Sequence, residues 1–410
     1  MKSVKASLIF LLSFAGLYAE ESNCIDTLCR QIETKSGEFS DYTGITPFFD
    51  YYAVLLSNPS GGNRQSTNYT HEMLFGLELD MQQIASLRGM TIMVSGAYNA
   101  GANLSNAVGN YFTLSESSVT DGAMFYEFFI SQEIEVFDGD TLTVSLGRMS
   151  MSDIFCGLPV FGYMVSGAIN STPEAMFFNS PFTSSPQATW GIAVEYDTVN
   201  NLSFAAGLYQ IPQNISSKKW DGLDWKIRKD DGYMAIFQAQ WSPAFYAENG
   251  TVLRGQYQLG GWFYGGYNVG GLADSTRENA YGIYLQGQQT VWQSLDGKSI
   301  SLWAGLQYAP LEGVSAVSYM AYAGVRFKGF TPCRPNDALF FSWTGGWFSE
   351  NYKTDSGERA SCENVLELTY VFQINQNISI QPDLQYVITP NGDKNIDNAL
   401  VVGGQLVVSF

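Results

Sequence analysis

Charged residues make up only 15% of this 410-residue chain, against roughly 25% in ordinary soluble domains. Histidine occurs once, as His71. After the first twenty positions no apolar run approaches the roughly 20 residues that a membrane-crossing helix needs, so a helical membrane protein is excluded. Aromatics at 15% exclude a disordered chain, which would be poor in them. Lysine and arginine, 21 together, are outnumbered by 39 acids; the net charge of -18 is the wrong sign for a phosphate backbone, so nucleic acid is not an expected partner. A single histidine cannot build a multi-histidine metal site; His71 reads as a polar residue at a strand end, and nothing supports an enzyme, a metal or a cofactor. The DKNID run at Asp393 lacks the glycine and terminal glutamate of a calcium loop, and GKS at Gly297 lacks the preceding glycine of a phosphate loop.

What is present is glycine (41), aromatics, and apolar residues spread thinly along the chain. The first nineteen residues have the form of an export signal: Lys2 and Lys5, an apolar stretch from Ala6 to Leu17, then Tyr18 and Ala19, with cleavage expected after Ala19. Cys24, Cys29, Cys156, Cys333 and Cys362 follow. In an oxidising compartment an odd count leaves one thiol free or bonded to another molecule, so disulfide-linked envelope proteins are candidate partners. No cysteine pair has the C-x-x-C spacing of a zinc site.

The C-terminal third alternates strictly. In 377–388 Ile378, Ile380, Leu384, Tyr386 and Ile388 oppose Asn377, Ser379, Gln381, Asp383 and Gln385, and the chain ends on an aromatic, Phe410. Period two of this kind is a strand with one apolar face. The same reading places strands near 44–56, 68–81, 89–99, 124–136, 140–149, 188–197, 201–210, 232–242, 251–264, 279–292, 298–308, 316–328, 337–348, 363–373, 377–388 and 399–410. About sixteen strands, an even number, fit an all-β, transmembrane antiparallel β-barrel. With the chain end taken as periplasmic, tight turns at Phe137–Gly139, Thr198–Asn200, Ser294–Gly297 and Asn375–Asn377 alternate with long polar connections, as barrel loops do. A soluble sandwich also alternates; the polar face repeated on nearly every strand, the aromatic end, and Trp and Tyr near strand ends favour the membrane. The domain plan is a signal at 1–19, a periplasmic segment at 20–43 and a barrel at 44–410 in outer-membrane lipid.

Several stretches carry a likeness to a known family: LELDMQQIASLRGMTIMVSGAYNAGANLS, SLGRMSMSDIF, FFNSPFTSSPQATWGIAVEYD, RPNDALFFSW and, most specifically, ENVLELTYVFQINQNISIQPDLQYVITPNG. From about Gly44 to Phe410 the chain resembles the OprB-type carbohydrate-selective porins. That resemblance implies a sixteen-stranded outer-membrane barrel through which sugars, glucose among them, diffuse inward. The cysteines and the many inward acids depart from the family picture.

In a barrel, parity sends alternate side chains to lipid and lumen. Inward by parity are Glu72, Glu78, Asp80, Glu127, Glu133, Glu135, Glu195, Glu363, Glu367 and Asp383, against Arg254, Arg326 and Lys328. A negative pore that repels anions is the expectation. Sugar contact needs amides and flat rings: Gln256, Gln258, Gln286, Gln288 and Gln385 face inward with Trp262, Tyr284 and Trp303, while Trp220 and Trp225 lie in an external loop beside Lys218, Lys219, Lys226 and Arg228. Each ring taken singly reads more readily as packing than as a sugar platform. The longest connection, Ser150 to Gln187, carries Asp153, Phe155, Phe161, Glu174, Phe177, Phe178 and Phe182, an apolar load suited to folding into the lumen as a constriction.

Topology divides the thiols. Cys24, Cys29 and Cys333 fall on the periplasmic side and Cys156 and Cys362 on the outer side, too far apart for a bond between groups. The expected function is passive diffusion of small hydrophilic solutes, carbohydrates first. A general or cation-preferring pore and a disulfide-linked envelope structural or adhesive protein are the alternatives, and association of three copies is a further expectation.

Overall fold

The computed structural model describes residues 25–116, 121–213, 221–267 and 279–410. The expected export signal, Cys24 and Trp220 with Lys218 and Lys219 lie outside the described residues. Seventeen strands follow one another: β1 (Ile45–Ser60), β2 (Thr67–Asp80), β3 (Met90–Gly101), β4 (Gly122–Glu135), β5 (Thr141–Met149), β6 (Thr189–Asp197), β7 (Leu202–Ile211), β8 (Gly232–Trp241), β9 (Ala244–Tyr246), β10 (Val252–Gly265), β11 (Asn279–Gln293), β12 (Ser299–Tyr308), β13 (Val317–Lys328), β14 (Ala338–Phe348), β15 (Cys362–Gln373), β16 (Ile378–Ile388) and β17 (Ala399–Ser409). All but β9 form one antiparallel ring, each bonded to its chain neighbour, β8 to β10, and β17 back to β1 through Asp50↔Ser409 to Ser60↔Leu400. Sixteen strands therefore close without an edge. β9 is a three-residue addition folded onto the start of β10.

Closure follows from the backbone: in hydrocarbon an unpaired N–H or C=O costs several kcal/mol, and a ring of strands leaves none. Parity then sorts the side chains. On β10 and β11, Leu259 and Leu285 face each other on the outside, about half exposed, while Gln258 and Gln286 are paired one step away and buried inside. Phe204, Leu208, Phe237, Leu302, Phe341 and Leu368 continue the apolar exterior. His71 also points outward, its ring 5.5–6.0 Å from those of Tyr51, Tyr69 and Tyr98, in an aromatic patch near the external end of β2.

One charge breaks the lipid-side pattern. Arg148 on β5 shares its parity with exposed Leu146 and sits between Phe128 and Trp190 of the adjoining strands, yet it is buried. Part of the fourth external loop folds down outside the barrel and covers it. Phe125 N–H donates to Asp221 O (2.9 Å), the Trp225 ring stacks on Phe128 at 6.0 Å, and Trp190 Nε1 donates to Trp225 O (3.2 Å). Asp224, ion-paired to Arg228 at 2.8 Å, is also an electrostatic neighbour of Arg148, whose Nε donates to Tyr126 O. A guanidinium on the lipid face is thus paired and shielded.

The periplasmic end is tied together by side chains. Asp140, in the turn before β5, accepts from Tyr196 Oη (2.6 Å) and Val199 N–H (2.9 Å), joining two turns. These bonds, the tyrosine's first, hold its carboxyl below the usual range, so their contribution is present at neutral pH and is lost on acidification. A helix, α1 (residues 25–43), lies along the rim. Asn375 Nδ2 donates to Asp26 Oδ1 (2.9 Å), Asn377 Nδ2 to Glu33 Oε1 (2.8 Å), and Gln83 Nε2 to Asp41 O (2.5 Å).

Expected disulfide chemistry has no counterpart among the described residues: Cys29 and Cys156 are buried thiols, Cys362 is half-buried and Cys333 exposed, all free. They stand at separate places in the fold, Cys29 on the buried side of α1, Cys156 inside the barrel, Cys333 in a turn and Cys362 at the start of β15.

Replacing Leu259 by Arg places an unshielded charge mid-strand on the lipid face. The folded barrel is expected to lose about 2–4 kcal/mol in urea titrations of protein refolded into vesicles. An unchanged midpoint would mean that this face does not meet lipid.

Candidate functional site

The inner wall of β8, β10 and β11 is a lattice of glutamines. Gln256 and Gln258 donate to Gln240 Oε1 (2.9 and 2.8 Å), Gln286 Nε2 donates to Gln258 Oε1 (2.6 Å), and Tyr284 and Tyr322 hydroxyls donate to Gln238 Oε1 and Gln286 Oε1 (2.8 and 2.6 Å). The lattice faces the third external loop (150–188). Cys156 N–H donates to Gln238 Oε1 (3.0 Å), Val160 N–H to Gln288 Oε1 (3.2 Å), and Gln258 Nε2 to Gly157 O (2.8 Å). An amide side chain offers both a donor and an acceptor, so it satisfies irregular loop backbone that has no strand partner.

Further along, carboxylates do the same work. Glu367 Oε1 on β15 accepts the N–H groups of Val165 (2.7 Å) and Ser166 (3.0 Å). Glu127 accepts Ser150 N–H (3.0 Å) where the loop leaves β5, and Asn179, at the end of the short helix α2 (Ala175–Asn179), exchanges bonds with the Val317 backbone. Phe155, Phe161, Met164 and Val165 of this loop are fully buried, in two apolar clusters shared with the wall. The third loop is therefore folded against the inside of the barrel.

The second external loop is inserted as well, over its described residues 102–116, which the sequence reading did not foresee. Glu363 accepts Tyr111 and Phe112 N–H (2.7 and 2.8 Å), Gln385 Nε2 donates to Leu114 O (3.0 Å), and Glu174 of the third loop accepts Thr113 N–H (2.7 Å), locking one loop to the other. Glu72 binds Ser185 and Glu116 binds Ser184, completing the contact.

The residues singled out from sequence thus separate into two groups. Gln258, Tyr284, Gln286, Glu127, Glu367 and Gln385 are buried and engaged with loop backbone or with one another; Asp383 is buried beside Glu367, linked through Thr369. Trp262, Tyr284 and Trp303 lie flat on the wall, over glycines of the next strand. A Cβ at Gly324 would collide with the Trp303 ring, and one at Gly260 with the Tyr284 ring. Facing water are Glu78 and Glu195 on β2 and β6, Arg254 and Gln256 on β10, Gln288 on β11 and Arg326 on β13, with Asp153 of the third loop exposed beside Glu127. Phe155, Phe161 and Glu174 are the buried side of that loop.

Charge is not uniform across the passage. Glu78, Asp80, Glu133, Glu135 and Glu195 sit at the periplasmic ends of β2, β4 and β6, whereas Arg254, Arg326 and Lys328 sit at those of β10 and β13. Because β9 lies outside the ring, β4 is the fourth ring strand and β13 the twelfth of sixteen, half a turn apart. An acidic arc faces a basic one. Beneath the tip of the third loop, a cavity of about 670 Å³ is lined by Val160, Arg254, Gln288, Ser301, Trp303, Arg326 and Lys328 among others.

Truncating Glu367 to Ala leaves two buried N–H groups without an acceptor, at about 1–3 kcal/mol each. Single-channel conductance is expected to rise severalfold and residues 150–188 to become protease-sensitive while the barrel stays folded, with Glu367→Gln milder because one acceptor oxygen remains. Unchanged conductance in Glu367→Ala would show that this anchor does not set the opening.

Comparison with known proteins agrees with this architecture. The model of the family described as "Carbohydrate-selective porin, OprB family" matches residues 64–410. Porin B of Pseudomonas aeruginosa is 22% identical over 406 residues, 88% of this chain and 86% of its own. QuiX of Acinetobacter baylyi, a protein named as a porin, is 22% identical over 303 residues, 67% of each chain. The structure of Pseudomonas putida OprB at high pH superposes with a TM-score of 0.81 at 22% identity, covering 91% of this chain and 96% of that one. With a closed sixteen-stranded ring, an apolar exterior and a family match over most of its length, the chain belongs to the OprB family of carbohydrate-selective porins and is a channel of the bacterial outer membrane, not an enzyme.

Proposed function

We propose that small sugars cross this barrel by passive diffusion through the space that the second and third external loops leave open. The carrying observation is the pinning of both loops to buried wall glutamines and carboxylates, which narrows a sixteen-stranded lumen to a passage. Side chains meeting the solute are those left facing water: Arg254, Gln256, Gln288 and Arg326 from the wall, Asp153 from the loop, and the edge of Trp303 in the cavity. Gln258, Gln286, Glu367 and Gln385 act one step back, by holding the loops. Amides and guanidinium groups replace the water that a sugar sheds, at about one hydrogen bond's net worth each.

The assembly reading belongs to the same proposal: three barrels side by side, as expected from sequence, and disulfide bonding to other envelope proteins through Cys333, the one exposed thiol among the described residues.

Liposome swelling with neutral sugars of rising size tests the transport reading. Rates are expected to fall steeply from mono- to trisaccharides. Swelling blind to sugar size would point to a general pore, and none from correctly folded protein would remove the porin reading. Electrophoresis of alkylated envelopes with and without reductant is expected to release the chain from a larger species; a monomer in both lanes would end the cross-linking idea.

A further inference from the structure

The cavity under the third loop is unusual in its charge. Three cations line it, Arg254, Arg326 and Lys328, and no carboxylate does. A second cavity of about 550 Å³ shares Arg326 and Lys328 and adds Arg30 from α1 and Tyr163 from the loop tip; its single acid, Asp26, accepts a hydrogen bond from Asn375. The ion pairs among the described residues lie elsewhere, at Asp224, Asp296, Asp337 and Glu350, so none of these four cations is neutralised by a carboxylate.

Arg326 shows the consequence most clearly. Its Nη2 donates to Ser301 Oγ at 3.3 Å, while its Nε is buried without a partner. An orphaned guanidinium donor next to a void, with a second cation two residues along the same strand, is incomplete as a structural element. Guanidinium groups match phosphate and carboxylate oxygens two bonds at a time, and an ammonium adds a mobile point charge. The rest of the wall is suited to something more than an inorganic ion: Gln288 and Ser301 offer an amide and a hydroxyl, and Trp303 an aromatic edge. The volume falls in the range of small-molecule sites, about 300–1,000 Å³. Across the passage the acidic arc of Glu78, Glu133 and Glu195 repels an anion toward the basic side.

We propose that the periplasmic side of the constriction holds a subsite for anionic sugars, a sugar carrying a phosphate or a carboxylate, whose charged group is taken by Arg326, Lys328 and Arg254 and whose hydroxyls meet Gln288 and Ser301. This rests on the porin reading and reverses the anion exclusion that the overall acidity suggests. A phosphate, with two charges, is held more tightly than a carboxylate, and the preference weakens as salt rises.

The test is ion current through the full-length protein in planar bilayers, with glucose, glucose 6-phosphate, gluconate and inorganic phosphate added to the periplasmic side. Glucose 6-phosphate is expected to interrupt current at concentrations at least tenfold below glucose, with gluconate between them and inorganic phosphate weaker than the sugar phosphate. In a protein with R326Q and K328Q combined, the ratio between glucose 6-phosphate and glucose is expected to fall within twofold. If that protein does not give a folded barrel, R254Q alone is expected to lower the ratio at least threefold. Equal block by glucose and glucose 6-phosphate in the unaltered channel overturns the proposal, as does a ratio that survives the substitutions. Block by inorganic phosphate as strong as by the sugar phosphate overturns the sugar part. A channel that passes glucose without anion preference sinks this subsite alone; absence of both current and swelling sinks the porin reading itself.

Discussion

A backbone amide at membrane depth can be satisfied only by another part of the protein, and the two solutions this chain uses for that constraint explain most of its structure. On the wall, strand pairs with strand until β17 meets β1, so that no edge remains. Inside, the same requirement recurs for loop backbone that has no strand partner. Glutamine and glutamate side chains projecting from the wall supply the missing acceptors and donors, as Gln238, Gln258, Glu363 and Glu367 do. The polar face of each strand is thus a mounting surface as much as a wetted one.

That dual role explains what could be read from the sequence and what could not. Strand positions were legible because lipid outside and polar groups inside impose period two, and the closing residue Phe410 ends a run, 399–410, that places Leu400, Val402, Leu406 and Val408 on one face. Insertion of the third loop was legible from length and from phenylalanines that open solvent would not favour. The second loop gave no such signal: its anchors Tyr111 and Phe112 are held by Glu363, some 250 positions away in sequence, a pairing no local pattern announces. For the same reason Gln258, Gln286, Glu367 and Gln385 looked like solute contacts when parity alone was available; parity gives the side of the wall, not what already occupies it.

The burial of Arg148 is a second case in which a connection settles what a strand cannot. Its position on the outward face would be costly in bare hydrocarbon, and the cover that makes it tolerable, Trp225 with Asp224, comes from a loop more than seventy positions later. Both cases place the least legible information in the external connections, where sequence-local rules are weakest and long-range partners decide. The charge of the passage follows suit. Many inward acids are absorbed as loop anchors, so the net negative charge of the chain overstates what a passing solute encounters, and the basic arc on β10 and β13 counts for more than its three residues suggest.

The anchoring scheme has a consequence for how selectivity can vary. At the tip of the third loop, wall amides and carboxylates grip mostly main chain, at Cys156, Gly157, Val160, Val165 and Ser166, with side-chain bonds at Cys156 and Ser185 besides. Main-chain groups are the same whatever residue bears them. Exposed positions such as Pro159 and Gly162 can therefore be exchanged without loosening the mount, and the scaffold behaves like a fixed socket into which differently shaped bits can be fitted.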